Sequence, residues 1–201
     1  MVATGTIAGP KECAGVVGKY VDKTLEDDMF GESTYEKAEC KMLTYAIQQA
    51  IENAGECEKD VDMLISGDLL NQIISASFAA RDFDVPFLGV YGACSTFAES
   101  IVLASAFINA GYYKKIVAAT GSHFSSAERQ YRYPLELGNT RPPQAQWTVT
   151  GAGGAVIADM GTWQKYSKEQ SDLTETVEKY EEYLSCEREM TDAFAMSETE
   201  T

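Results

Sequence analysis

The chain has 201 residues, a formal net charge of -15, 45% hydrophobic and 23% charged residues. That is enough for a domain-sized core, and the negative field opposes binding to nucleic acid or anionic lipid. No apolar run reaches the roughly 18 residues of a membrane span, and no basic, apolar leader follows Met1, so neither a transmembrane segment nor secretion is expected. The five cysteines, Cys13, Cys40, Cys57, Cys94 and Cys186, have no CxxC spacing, and His123 is the one histidine. This argues against a disulfide framework or structural zinc and for free thiols in a reducing compartment.

In chain order, residues 2–7 read as the remnant of an opening strand. Residues 35–54 place Ala38, Met42, Tyr45, Ala46 and Ala50 on one helical face, with charges and glutamines opposite. Short apolar runs at 61–66, 86–91, 116–120 and 155–158 read as buried strands. Helical spacing recurs at 70–81 and at 96–110. The second of these is apolar nearly all round (Phe97, Ile101, Val102, Leu103, Phe107, Ile108), which predicts a helix covered on every side. Gly111 stands where a helix C-cap belongs. The alternation predicts an α/β fold built on parallel βαβ crossovers.

Residues 122–150 break the pattern. They carry three prolines, Arg129, Arg132 and Arg141, and aromatic side chains at Phe124, Tyr131, Tyr133 and Trp147. A loop this long in a compact domain is usually functional. After Gly161 the chain turns acidic, with Leu173, Val177, Tyr180 and Leu184 at helical spacing. The reading is a domain over 1–160, then an amphipathic acidic helix and a disordered end over 161–201.

The sharpest local signal is Tyr91-Gly92-Ala93-Cys94-Ser95-Thr96, a strand running into a glycine, a cysteine and a helix. A thiol at a helix N-terminus meets unpaired amides and the positive end of the dipole, which suits a nucleophile or an anion site. Ser95 or Thr96 is expected to cap the helix. Two other strand ends deliver Asp68, with Asn71 and Gln72 one turn on, and His123. Open α/β sheets bind ligands at such carboxyl ends. Asp68 reads equally as a helix cap. Arg129, Tyr131 and Arg132 offer guanidinium groups and a ring, suited to a planar carboxylate or to pinning a surface loop. The stretch from Thr148 to Gly154 lacks the GxGxxG pattern, so no dinucleotide site is expected there.

Five segments together, at 8–12, 67–72, 92–96, 122–130 and 146–151, resemble the stage V sporulation protein AD family of the thiolase-like superfamily. The similarity runs from about Ala3 to Ala158. It implies one βαβαβαββ half of a thiolase-like fold, with a mostly parallel sheet and a buried central helix. It also implies binding of dipicolinic acid during its uptake into the developing spore, with calcium as a candidate companion and no other cofactor. The implied partners are other stage V sporulation operon proteins, and the implied location is the cytoplasm or the periphery of the spore inner membrane. Cys94 aligns with the thiolase nucleophile, so the alternatives are an acyltransferase acting through Cys94 or a fragment without function. The second thiolase half lies outside the similarity, and a homodimer supplying it is a further expectation.

Overall fold

The structure, a computed structural model, describes residues 1–71, 73–131, 148–159 and 161, with 128–131 described by their backbone alone. The described residues belong to the unit Met1–Trp163. Gln72, Arg132, Tyr133, Arg141, Trp147 and the acidic helix expected after Gly161 lie outside them.

Six strands form one sheet: β1 (Ala3–Ala8), β2 (Lys23–Thr24), β3 (Met63–Asp68), β4 (Phe87–Gly89), β5 (Lys115–Ser122) and β6 (Gly151–Ala158). Their order is β2-β1-β6-β5-β3-β4. β3 pairs in parallel with β4 and β5, and β1 with β2, as crossovers require. β6 departs from the expected parallel pattern, running antiparallel to both β1 and β5. It also starts four residues before the expected 155–158 strand, because the run Gly151-Ala152-Gly153-Gly154 is itself strand.

A short helix, α1 (Pro10–Cys13), follows β1, and the next helix, lying on top of the glycine run, is the reason for it. α2 (Tyr35–Asn53) lies on β1 and β6 so closely that a Cβ on Gly5 would sit 2.4 Å from Ala50 N, and one on Gly154 would sit 2.9 Å from Ala46 O. Thr34 starts this helix, its Oγ1 accepting from Lys37 N at 3.3 Å. α2 and α3 (Ile74–Ala80) cover one sheet face, burying Leu43, Ile47, Leu64, Val117 and Val156 together.

α4 (Thr96–Asn109) covers the other face through Ala104, which meets Ile65, Ile116, Ala118 and Ala155. Its composition predicts burial all round. In this chain it is buried along the stripe Thr96, Ser100 and Ala104, while Val102 is 66% exposed. Among the described residues, one sheet covers one side of the helix and nothing covers the opposite side.

Two more boundaries differ from the sequence expectation. α3 begins at Ile74 instead of residue 70, because the chain first turns through Ile73 in a left-handed conformation (φ 48). The long loop expected from residue 122 opens as strand and then helix, α5 (Phe124–Tyr131). No helix among the described residues is long and apolar enough to cross a membrane. The four described cysteines, Cys13, Cys40, Cys57 and Cys94, are free thiols.

Candidate functional site

A cavity of about 640 Å³ opens at the carboxyl ends of β1 and β5, beside the first residues of β6. Its wall combines apolar groups, Leu69, Val149 and Ala152 among them, with the hydroxyl-bearing Thr6, Thr120, Ser122 and Thr148. Cys94 faces it. Cys94 is the one titratable side chain among the described residues lining this cavity.

The turn that presents Cys94 is a short 3-10 segment, Ala93–Ser95, leading into α4. Ala93 occupies the left-handed region at φ 50, a conformation that an L-residue with a Cβ adopts reluctantly. Neighbouring side chains hold it there. Ser95 Oγ donates to Gly92 O at 2.7 Å, and Thr96 Oγ1 accepts from Gly92 N at 3.1 Å. A side chain on Gly92 would collide with Ser95 Oγ and Glu99 Oε2, each 2.6 Å from its Cβ. Ser95 and Thr96 therefore brace the turn instead of capping the helix as expected, and the Ser95 side chain caps no amide of the first turn of α4. Those amides, with the helix dipole behind them, favour a negative group beside Cys94.

The other expected site residues mostly support this arrangement from behind. Asp68 is 1% exposed. Its Oδ1 accepts from Leu70 N at 2.7 Å and its Oδ2 from Ala76 N at 2.6 Å. It thus caps α3 from outside the helix and folds the chain so that Leu69 enters the cavity wall. Burial pushes its carboxyl above the ordinary value, against the pull of the Ala76, Leu70 and Ser75 amides.

His123 is fully buried and is not among the residues lining the cavity. Its Nδ1 accepts from Ser125 N at 3.1 Å. The proton therefore sits on Nε2, which donates to Asp28 O at 2.8 Å. Tyr35 packs on the ring at a centroid distance of 5.0 Å. The imidazole pins the segment before α2 to the end of β5. The thiol and the imidazole that the sequence brings to one sheet edge are thus separated by burial.

Asn71 lies on the exposed turn after Asp68 and not in the cavity wall. Arg129 and Tyr131 lie on α5, described by backbone alone. The hydroxyl side chains of the cavity escaped the sequence reading, since single threonines carry no motif. Ser122 and Thr148 belong to the segments at 122–130 and 146–151, and that was the signal available.

A sheet of order β2-β1-β6-β5-β3-β4, with β6 antiparallel, α2 and α3 on one face and α4 on the other, defines a thiolase-like half. Among solved structures the chain is similar to the 3-oxoacyl-[acyl-carrier-protein] synthase III of Aquifex aeolicus VF5. The TM-score is 0.54 at 18% identity, over 79% of this chain and 53% of that one. It is also similar to the beta-ketoacyl-[acyl-carrier-protein] synthase III of Thermus thermophilus, with a TM-score of 0.53 at 15% identity, over 79% of this chain and 51% of that one. Likeness at such identity is likeness of fold.

The model of the Stage V sporulation protein AD family matches residues 1–177, and the chain belongs to that family. Stage V sporulation protein AD of Bacillus subtilis (strain 168) is 42% identical over 156 residues, which are 78% of this chain and 46% of that protein. The chain thus spans about half the length of that relative. A separate similarity, 50% identity over 44 residues, links 22% of the chain to 12% of peptide chain release factor 1 of Bacillus anthracis.

Proposed function

We propose that this sporulation-family chain binds dipicolinic acid in the Cys94 cavity and contributes to its uptake into the developing spore, without turning it over. The observation that carries this reading is a cavity of small-molecule size, about 640 Å³, that combines apolar walls, hydroxyls and the Cys94 turn that leads into α4. Dipicolinate is a flat aromatic ring bearing two carboxylates. Leu69, Val149 and Ala152 suit the ring, and the threonine and serine hydroxyls suit the carboxylates, with α4 starting just behind the Cys94 turn. Calcium brought with the ligand offsets repulsion between a dianion and a chain of charge -15. The partners on this reading are the other proteins of the stage V operon at the spore inner membrane.

Acyl transfer through Cys94 is the competing reading. A thiol at this turn suits it, but a nucleophile needs a base within hydrogen-bond reach. Among the described residues lining the cavity none can serve, and His123 is committed to Asp28 and Ser125.

Calorimetric titration of the chain with dipicolinic acid, with and without calcium, tests the proposal. Saturable binding is expected, weakened about ten-fold or more by Val149→Trp, which fills the wall, and by Cys94→Ala to a smaller extent. A cooperatively folded chain that shows no saturable binding in either titration overturns it. A stable thioester formed from an acyl donor and abolished by Cys94→Ser establishes the enzyme reading instead.

A further inference from the structure

A second polar cluster lies on the α2 and α3 face of the sheet, apart from the cavity. Glu39 on α2 and Asp68 at the end of β3 are each 1% exposed. The Asp68 oxygens are filled by backbone amides. Glu39 Oε2 accepts from Ser126 Oγ at 2.7 Å. Glu39 Oε1 and the adjacent Ser75 Oγ face each other, and neither has another hydrogen-bond partner among the described residues.

Among the described residues, the groups facing Glu39 are Asp68 from β3, Ser75 from α3, Ser126 from α5, and Glu36 and Cys40 from its own helix. Both charged neighbours are acids, and among the described residues no cation pairs with Glu39. Two carboxylates this deep cannot both ionise cheaply. One proton on Glu39 removes one of the two buried charges, and the Ser75 hydroxyl can hydrogen-bond Oε1 in either protonation state. Burial, the largest influence, with Asp68 and Glu36 adding to it, lifts the Glu39 carboxyl to about 8 against the pull of the Ser126 and Ser75 hydroxyls.

The cluster stands at the root of two cavity walls. Asp68 begins the turn that puts Leu69 into the wall. Ser126 Oγ ties Glu39 to α5 and also reaches His123 O at 3.1 Å. At the start of α5, Phe124 N donates to Thr150 Oγ1 at 3.1 Å, and Ser122 Oγ donates to Val149 O at 2.6 Å. Ser122 and Val149 line the cavity.

We propose that Glu39 is a proton-operated latch: protonated, it lets the β3–α3 turn and α5 pack together, and deprotonated, it repels Asp68 and loosens both cavity walls, so that ligand binding weakens as pH rises. The proton assignment stands on the cluster alone, whereas the link to the ligand rests on the dipicolinate reading. Infrared difference spectra of the whole chain, wild type minus Glu39→Gln, test the first part. A protonated-carboxyl C=O band is expected near neutral pH and disappears at about pH 10. Its absence near neutral pH overturns the assignment. Should Glu39→Gln not fold, the same band is sought in wild type, shifted by Ser75→Ala. Titration with dipicolinic acid between about pH 6 and about pH 9 tests the second part, with affinity expected to fall about five-fold or more in wild type and to stay level in Glu39→Gln. Equal pH dependence in the two chains overturns the coupling. A missing ligand response with the carboxyl band intact sinks the dipicolinate reading and spares the proton.

Discussion

The two faces of the sheet are finished to different standards. On the α2 and α3 face, glycines bring backbone onto backbone, Leu43 and Ile47 are sealed, and even the carboxylates Glu39 and Asp68 are shut from water. On the α4 face, a helix of greater apolar content is covered along one stripe, and a cavity opens beside the turn that leads into it. Stability therefore belongs mainly to the first face and ligand access to the second. The difference shows that apolar composition does not by itself decide burial: Val102 is exposed and Glu39 is not.

The strongest test of this division is a cavity-creating change on the sealed face. Leu43 is fully buried against Ile47, Leu64 and Val117. Leu43→Ala is expected to cost about 2–5 kcal/mol in denaturant unfolding. A cost below about 1 kcal/mol would mean that the α2 face is not where the fold is held.

How much of this was legible beforehand follows the same line. Strands and helices were readable because each runs with its own period. The antiparallel β6 was not, since the direction of a strand leaves no trace in its composition. α3 starts late because the Asp68 carboxylate takes Leu70 N and Ala76 N, a pairing across eight residues that no local rule anticipates. The cavity was half legible. The cysteine turn was visible, but the separation of Cys94 from His123 depends on the imidazole meeting the Asp28 carbonyl, far away in sequence. Glu39 was assigned to the charged face of α2, although it stands four residues before Leu43 and seven before Ala46, on the buried stripe. That spacing was the missed signal.

The next test sharpens the contrast through pH. Glu39 has a folded value of about 8 against an ordinary 4.5. The folded chain therefore holds a proton that the unfolded chain has lost across that interval. Stability is fully present below the ordinary value, falls by about 1.4 kcal/mol per pH unit as pH rises through the window, and levels off above the folded value. Asp68, raised in the same direction, adds to the fall. Urea unfolding midpoints followed from about pH 5 to about pH 9 should show a slope in wild type that is clearly reduced in Glu39→Gln, the variant being the more stable at the alkaline end. A slope unchanged by the substitution would place the linkage elsewhere.

The smallest expected effect separates the two sides of α4 itself. Val102 already stands in water, so Val102→Ser removes little buried area and is expected to shift stability by less than about 0.5 kcal/mol. Ala104, two residues on, is fully buried against Ile65, Ile116, Ala118 and Ala155. Ala104→Leu forces a larger side chain into that packed contact and is expected to cost about 1–3 kcal/mol. Both are read from urea unfolding of the whole chain. If Val102→Ser proves as costly as Ala104→Leu, the outer side of α4 is covered in solution, and the openness of this face does not describe the free protein. If the two differ as expected, the uncovered stripe contributes nothing to the fold of this chain, and the apolar side chains along it are retained for a reason other than its stability.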